Sequence, residues 1–174
     1  MDNFAEQLVK KHQTGSERTK KFLIMFGGSM LTFVLAAISV VLLGNGLIPF
    51  IGLLLAAGAG YGTFTILQNM YVEYEYTFTN GELDIDKIIA KKKRKELVSL
   101  SVGKFTAFGK YEEDAPEETE DMTVIFASSN IASEEYYADL RHDQYGNTRL
   151  VFCPDEKMLE NINKSLPRAL KNKS

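Results

Sequence analysis

The most constraining feature of this sequence is a stretch without Asp, Glu, Lys, Arg or His that runs from residue 22 through residue 72. A helix needs about 20 apolar residues to cross a hydrocarbon core of roughly 30 Å. Residues 22–43 and 47–69 each meet that length, and Gly44, Asn45 and Gly46 give a turn signal between them. We therefore predict a hairpin of two transmembrane helices over residues 22–69.

Small residues recur along both predicted spans at a spacing of four. In lipid, such a stripe lets helix backbones approach closely. We expect the two spans to pack against each other within one chain, and dimerisation through one stripe is the alternative. A cleaved signal peptide is disfavoured, because its apolar core would extend over only about 7–15 residues. The predicted packing residues are Gly28, Thr32, Ala36, Gly52, Ala56, Gly58, Gly60 and Gly62.

The charged residues that flank the spans predict the orientation. Lys and Arg residues precede the first span, and a basic run follows the second span, whereas the turn between them has no charge. Basic flanks stay on the cytoplasmic side, so we expect both termini to face the cytoplasm of a bacterial cell, with the hairpin in its cytoplasmic membrane. Cys153 is the single cysteine, which excludes an internal disulfide and fits a reducing compartment.

Residues 1–21 form the predicted N-terminal cytoplasmic segment. Met1, Phe4, Ala5 and Leu8 share one face of a helix, with basic residues after them. This pattern predicts a short helix on the membrane surface, and a frayed tail is the alternative. A turn at residues 14–16 would end the helix, and Ser16 is the predicted N-cap of the next one.

Residues 70–174 form the predicted cytoplasmic domain, where the apolar period changes to two. Alternation predicts strands over residues 71–79 and 82–89 around Asn80 and Gly81, which are a strong hairpin signal. Further strands are predicted near residues 98–102, 104–111, 122–128, 135–142 and 147–152. Asp155 is placed to cap a following helix with an apolar stripe, made of Met158, Leu159, Ile162 and Leu166.

This order resembles bacterial membrane proteins in which two transmembrane helices precede a pleckstrin-homology-like domain. The resemblance covers residues 22 to about 167 and rests on residues 74–81, 82–86, 91–95 and 96–100. It implies an α+β cytoplasmic domain, in which a seven-stranded antiparallel barrel or sandwich is capped by a C-terminal helix. It implies no activity, because a fold does not determine a function.

The most pointed candidate site is a run of five basic residues. Consecutive positive charges repel one another, and an anionic membrane surface contributes about 1 kcal/mol of attraction for each basic residue close to it. We expect contact with anionic phospholipid headgroups, and the alternative is a solvated turn that only sets the topology. The lipid- or partner-binding residues are Lys91, Lys92, Lys93, Arg94 and Lys95.

Two other polar groups invite a functional reading. Residues 112–121 are mostly acidic, which predicts a disordered, solvated loop, with docking of a basic partner or contact with the basic run as alternatives. His142, Asp143 and Cys153 include a nucleophile and a base, but they are about one strand length apart and have no oxyanion element. We expect no catalytic residue, no metal site and no cofactor.

These observations favour a non-enzymatic, membrane-anchored interaction module that binds anionic lipid, a protein partner or both. The partner would be another membrane protein or a second copy of this chain. A regulatory or accessory subunit of a small membrane pore or transporter is the alternative, but the spans contain none of the charged residues that ion pathways usually need. Nucleic acid is not expected as a partner, because residues 73–174 are acidic overall.

Overall fold

The computed structural model of the chain describes residues 3–43, 46–131 and 134–171. The chain divides into two compact units. One unit consists of Gln13–Tyr71, and the other combines Met1–His12 with Val72–Ser174. Two residues of the predicted turn between the spans, Gly44 and Asn45, lie outside the described residues.

The first unit is a pair of long helices, α1 (Gly15–Val41) and α2 (Ile48–Asn69). Both are long and apolar enough to cross a membrane, and few of their residues are buried. The cap of α1 is Thr14 and not the predicted Ser16: the Thr14 hydroxyl accepts from the Glu17 N–H, and the Glu17 carboxylate accepts from the Thr14 N–H. The length and apolar composition of the two helices fit a protein with two membrane spans.

The two helices are antiparallel and pack closely where small residues meet hydroxyl side chains. Gly28 lies against Thr63, and Gly52 lies against Ser39, so a Cβ at either glycine would clash with its neighbour. The hydroxyls of Ser39 and Thr63 donate to backbone carbonyls of their own helices, at 2.7 and 2.8 Å. Both hydroxyls are therefore hydrogen-bonded without water, as a membrane interior requires.

The second unit contains two four-stranded sheets. The first sheet has the order β1 (Phe4–Lys10), β2 (Val72–Thr79), β3 (Glu82–Ile89) and β4 (Lys93–Ser101), and each neighbouring pair is antiparallel. The turn between β2 and β3 has positive φ angles at Asn80 (50°) and Gly81 (98°), as the Asn-Gly signal predicts. The pairing of β3 with β4 is irregular between Ile85 and Asp86.

The second sheet contains β5 (Ala107–Lys110), β6 (Thr123–Phe126), β7 (Tyr136–His142) and β8 (Gly146–Phe152), in the order β5-β7-β8-β6. A short helix, α3 (Tyr111–Asp114), follows β5. After β8 come α4 (Glu156–Ser165) and α5 (Arg168–Lys171). Asp155 caps α4 by accepting the Met158 N–H at 2.7 Å, which confirms the predicted cap.

The core of this unit lies between the sheets and α4. Tyr76 of β2 packs edge-on against Phe152 of β8 with ring centroids 5.9 Å apart, and its hydroxyl donates to the Ala127 carbonyl. Met158 and Ile162 of α4 are fully buried in the same cluster, so the apolar stripe of this helix faces the core.

The structure corrects two parts of the predicted fold class. Eight strands are present in the described residues instead of seven, and β6 runs parallel to β8, so the strands are not all antiparallel. The C-terminal helix is as expected. Closure of the sheets into a barrel or sandwich stays a prediction.

The extra strand is β1, and it corrects the prediction for the N-terminal segment. Residues 4–10 form neither a surface helix nor a frayed tail; they pair with β2 along their whole length. The reason is burial with a period of two, because Ala5 and Val9 face the core while Phe4 and Leu8 face outwards. The pair of long helices is therefore inserted in the chain between two adjacent strands of one sheet.

Candidate binding site at the basic end of the first sheet

The basic run forms a tight turn and the first part of β4. The Lys92 N–H donates to the Ile89 carbonyl at 3.1 Å, and the two residues between them, Ala90 and Lys91, have φ angles of 55° and 57°. Two left-handed residues in a hairpin turn define the type I′ geometry, which normally favours Asn and Gly. Lys91 and Lys92 are thus held outward by a strained backbone, whereas the three basic residues after them belong to a strand.

The strand residues of the run divide between the two faces of the sheet. Lys95 lies directly opposite Lys87 of β3, and Lys93 lies opposite Ile89. Because side chains at paired positions point to the same face, Lys87, Lys93 and Lys95 form a basic group on one face. Like charges directly opposite each other destabilise a sheet, so this arrangement costs folding free energy.

Arg94 points to the other face and is paired. Its guanidinium contacts the carboxylate of Glu75 on β2 and lies 3.7 Å from the carboxylate of Asp86 on β3. The Glu75 side chain is only 14 % exposed. Arg94 therefore links three strands, and the lysines supply most of the positive field of the run.

The strand register sets the position of this basic group within the domain. Lys10, Glu73, Ile88 and Arg94 lie in one row across the sheet. The chain leaves this end of the sheet after Lys10 and returns to it at Val72. The basic turn thus lies at the end of the sheet that connects to the membrane spans, and the turn between β2 and β3 lies at the opposite end.

The predicted packing residues of the spans lie in different surroundings. A Cβ at Gly28 or Gly52 would clash with a side chain of the other helix, whereas a Cβ at Gly60 would be in ordinary contact with Thr32. Ala56 is buried and Ala36 is half-buried. A Cβ at Gly58 or Gly62 would meet nothing within 4 Å.

The acidic block is mostly exposed to solvent, as expected of a solvated loop, and it also includes α3 and contacts with the second sheet. It begins with α3, and its backbone is held to the second sheet: Tyr137 donates to the Asp114 carbonyl at 3.0 Å, and Arg149 donates to the Pro116 carbonyl at 2.7 Å. Asn147 donates to the Asp121 carboxylate at 2.6 Å. The block therefore packs on β7 and β8.

Arg149 is a feature that sequence reasoning missed. Its side chain is 1 % exposed and forms two parallel hydrogen bonds with the Asp139 carboxylate, at 2.6 and 2.7 Å. The hydrogen bonds to Asp139 raise the pKa of Arg149 above its usual value. Each of the three guanidinium nitrogens donates to a protein oxygen, which indicates a structural role.

The residues of a conceivable nucleophilic site are far apart. His142 ends β7 opposite Gly146, whereas Cys153 follows the other end of β8. The Cys153 thiol lies 3.3 Å from the Ser129 hydroxyl, and burial raises its pKa, so the thiol form is favoured. His142 stacks on Tyr145 and accepts the Gln144 N–H. These contacts support a structural interpretation of His142 and Cys153.

A family model described as "Bacterial PH-like domain (DUF6106)" matches residues 1–172, so the chain belongs to this family of bacterial pleckstrin-homology-like domains. The match includes both the strand before the spans and the domain after them. No curated protein and no solved structure matches the chain. The family, together with the two candidate spans, points to a membrane-associated interaction module.

Proposed function

We propose that this protein is a non-enzymatic module, anchored by two membrane spans, whose pleckstrin-homology-like domain binds the anionic lipid surface of the cytoplasmic membrane through its basic end. Both termini face the cytoplasm in this proposal. The observation that carries it is the strand register, because the basic turn shares one end of the sheet with the connections to the spans.

Both connections between the first sheet and the helices are short. Residues 11–14 join β1 to α1, a distance of at most about 14 Å when extended. Residues 70–71 join α2 to β2, an even shorter connection. A tether of this length makes lipid contact effectively intramolecular, so weak attractions are sufficient.

The lysines supply the attraction. Lys91, Lys92, Lys93 and Lys95 are all exposed, and about 1 kcal/mol for each lysine near an anionic leaflet gives about 4 kcal/mol in total. This attraction also explains why an unfavourable arrangement is retained, with Lys87 opposite Lys95 and a left-handed Ala90. Lysines on a surface attract anionic lipid without selecting one headgroup.

The test measures whether the basic end touches lipid. The full chain, carrying Cys153→Ala, is placed in nanodiscs with a fluorophore at Ala90→Cys or at Glu82→Cys, which lies at the opposite end of the sheet. Headgroup nitroxides should quench the label at residue 90 more strongly in anionic than in zwitterionic nanodiscs, and added salt should remove the difference. Equal quenching at residues 82 and 90 contradicts the proposal.

Charge variants identify the residues responsible. A variant should lose the preference for anionic lipid, while its domain stays folded, when glutamine replaces Lys91, Lys92, Lys93 and Lys95 together. The matched control, Arg94→Gln, should retain the preference and lower the stability of the first sheet, because Arg94 is paired with Glu75. If the control loses the preference and the lysine variant keeps it, the assignment of the lysines is wrong.

A further inference from the structure

The outer edge of β1 has backbone groups that point away from the sheet. On the inner edge, the Lys11 N–H donates to the Val72 carbonyl and the Asn3 carbonyl accepts from the Asn80 N–H. In an antiparallel strand, the backbone N–H and C=O groups of successive residues point alternately to one edge and to the other. Because Asn3 and Lys11 bond on the inner edge, the N–H and C=O groups of Glu6, Leu8 and Lys10 point to the outer edge. Such an edge is a template for another strand.

A cleft of about 720 Å³ runs along this edge. Its lining includes Leu8 and Lys10 of β1, Glu134 and Tyr136, and Cys153 and Glu156. The volume falls within the roughly 300–1,000 Å³ of typical ligand pockets. At the membrane-connected end, the His12 N–H already donates outward to the Ser129 carbonyl at 2.8 Å, so one strand-like contact exists there.

The charges around the cleft indicate the chemistry of an occupant. Glu134, Asp155 and Glu156 line it, against one cation, Lys10. Leu8 is 51 % exposed and presents an apolar surface on the same strand. An extended segment that alternates basic and apolar residues complements both features.

We propose that this cleft binds an extended basic segment of a partner membrane protein, which adds to β1 as a further strand of the first sheet. The cytoplasmic flanks of membrane spans are rich in Lys and Arg, and only residues 11–14 separate β1 from α1 in the chain, so the flank of a neighbouring span is a suitable occupant. The inference rests on the cytoplasmic orientation of the proposed function but not on lipid binding. It gives the module a protein partner at a site separate from the basic end.

The test uses the full chain in zwitterionic nanodiscs and a labelled peptide of alternating Lys and Val. Fluorescence anisotropy should show saturable binding, and a matched peptide of Glu and Val should bind at least about tenfold more weakly. Leu8→Pro removes an outward N–H, which an edge strand tolerates, and should weaken binding by about tenfold or more. Leu8→Thr keeps the N–H and should bind within about twofold of the unmodified chain.

Amide hydrogen exchange on the unmodified chain tests the same contact, and it does not require that the Leu8→Pro variant folds. The peptide should slow exchange at the amides of Leu8 and Lys10 relative to Ala5, whose N–H faces β2. No binding, binding that Leu8→Pro leaves intact, or unchanged exchange at these amides overturns the inference. The Gln variant of the basic end should bind the peptide normally, so failure of lipid contact and failure of peptide binding are separable.

Discussion

Replacement of Arg149 by methionine tests how the second sheet is held together. The substitution keeps an apolar stem of similar length and removes the guanidinium. The Asp139 carboxylate, whose side chain is only 13 % exposed, then loses its partner, and the Pro116 carbonyl loses a donor. Removal of one member of a buried ion pair costs about 3–5 kcal/mol. Because Asp139 retains some contact with water, we expect about 3 kcal/mol of lost stability.

The effect is measured on the full chain in nanodiscs by urea unfolding, followed through the near-ultraviolet circular dichroism of its tyrosines. A protease that cleaves after glutamate gives a local readout, because the acidic block depends on Arg149 at Pro116 and on Tyr137 at Asp114. The methionine variant should be cleaved in this block faster than the unmodified chain.

A double variant, Arg149→Met with Asp139→Leu, separates charge from packing. It leaves no unpaired charge, so its stability should return to within about 1 kcal/mol of the unmodified chain. A double variant as unstable as the single one would refute the reasoning, since packing would then explain the loss. Because the pKa of Arg149 is raised, its stabilisation is present below the pKa of an arginine in the unfolded chain and lost only at higher pH, so the deficit should be constant from about pH 6 to 8.

Two further predictions concern the spans and the core. Gly28→Leu should destabilise the helix pair by about 1–3 kcal/mol because Thr63 occupies the space, whereas Gly58→Leu should be neutral in a thermal assay in detergent; equal effects contradict the packing. Burial raises the pKa of Tyr76 and Cys153, so domain stability should be full below about pH 8.5 and fall as the pH rises through the unfolded values near 8.5 and 10. Cys153→Ala should remove the first part of the fall in the urea midpoint, and a midpoint independent of pH contradicts the assignment.

Features with a short-range signal could be predicted from the sequence. The strands around Asn80 and Gly81 were located because alternation and turn residues lie within one segment, and β3 has the predicted bounds. The cap at Asp155 depends on an N–H only three residues away. The run of basic residues is visible in the sequence, but its division into a turn and a strand depends on the pairing with β3.

β1 could not be distinguished by such signals. Ala5 and Leu8 fit a helical face, whereas Ala5 and Val9 fit alternation, and seven residues contain too few repeats to decide between the two. The partner strand begins at Val72, after both membrane helices, so no local turn announces the pairing. Arg149 and Asp139 had a signal that was overlooked: counting outward from the hairpin pair His142 and Gly146 places the two residues opposite each other.

The insertion of the hairpin between β1 and β2 means that residues 72–174 alone are an incomplete domain. Ala5 and Val9 would be missing from the core, and the side chain of Gln7 would no longer bond to the Cys153 carbonyl at 2.9 Å and the Asp155 N–H at 2.8 Å. Loss of the buried valine alone costs about 1.5–3 kcal/mol, a large part of the 5–15 kcal/mol that stabilises a typical domain.

Because Lys11 pairs with Val72, an Asn-Gly turn that joins these two residues should replace the whole hairpin and restore the sheet. The joined chain should unfold cooperatively in urea and have sharp near-ultraviolet dichroism, whereas residues 72–174 should lack both. Gln7→Ala in the joined chain is the intermediate case, because it keeps the strand and removes its two bonds to the start of α4. Cooperative unfolding of residues 72–174 with the stability of the joined chain would show that β1 is an accessory to the domain. If neither chain folds, the membrane spans contribute to folding in a further way, beyond connecting β1 to β2.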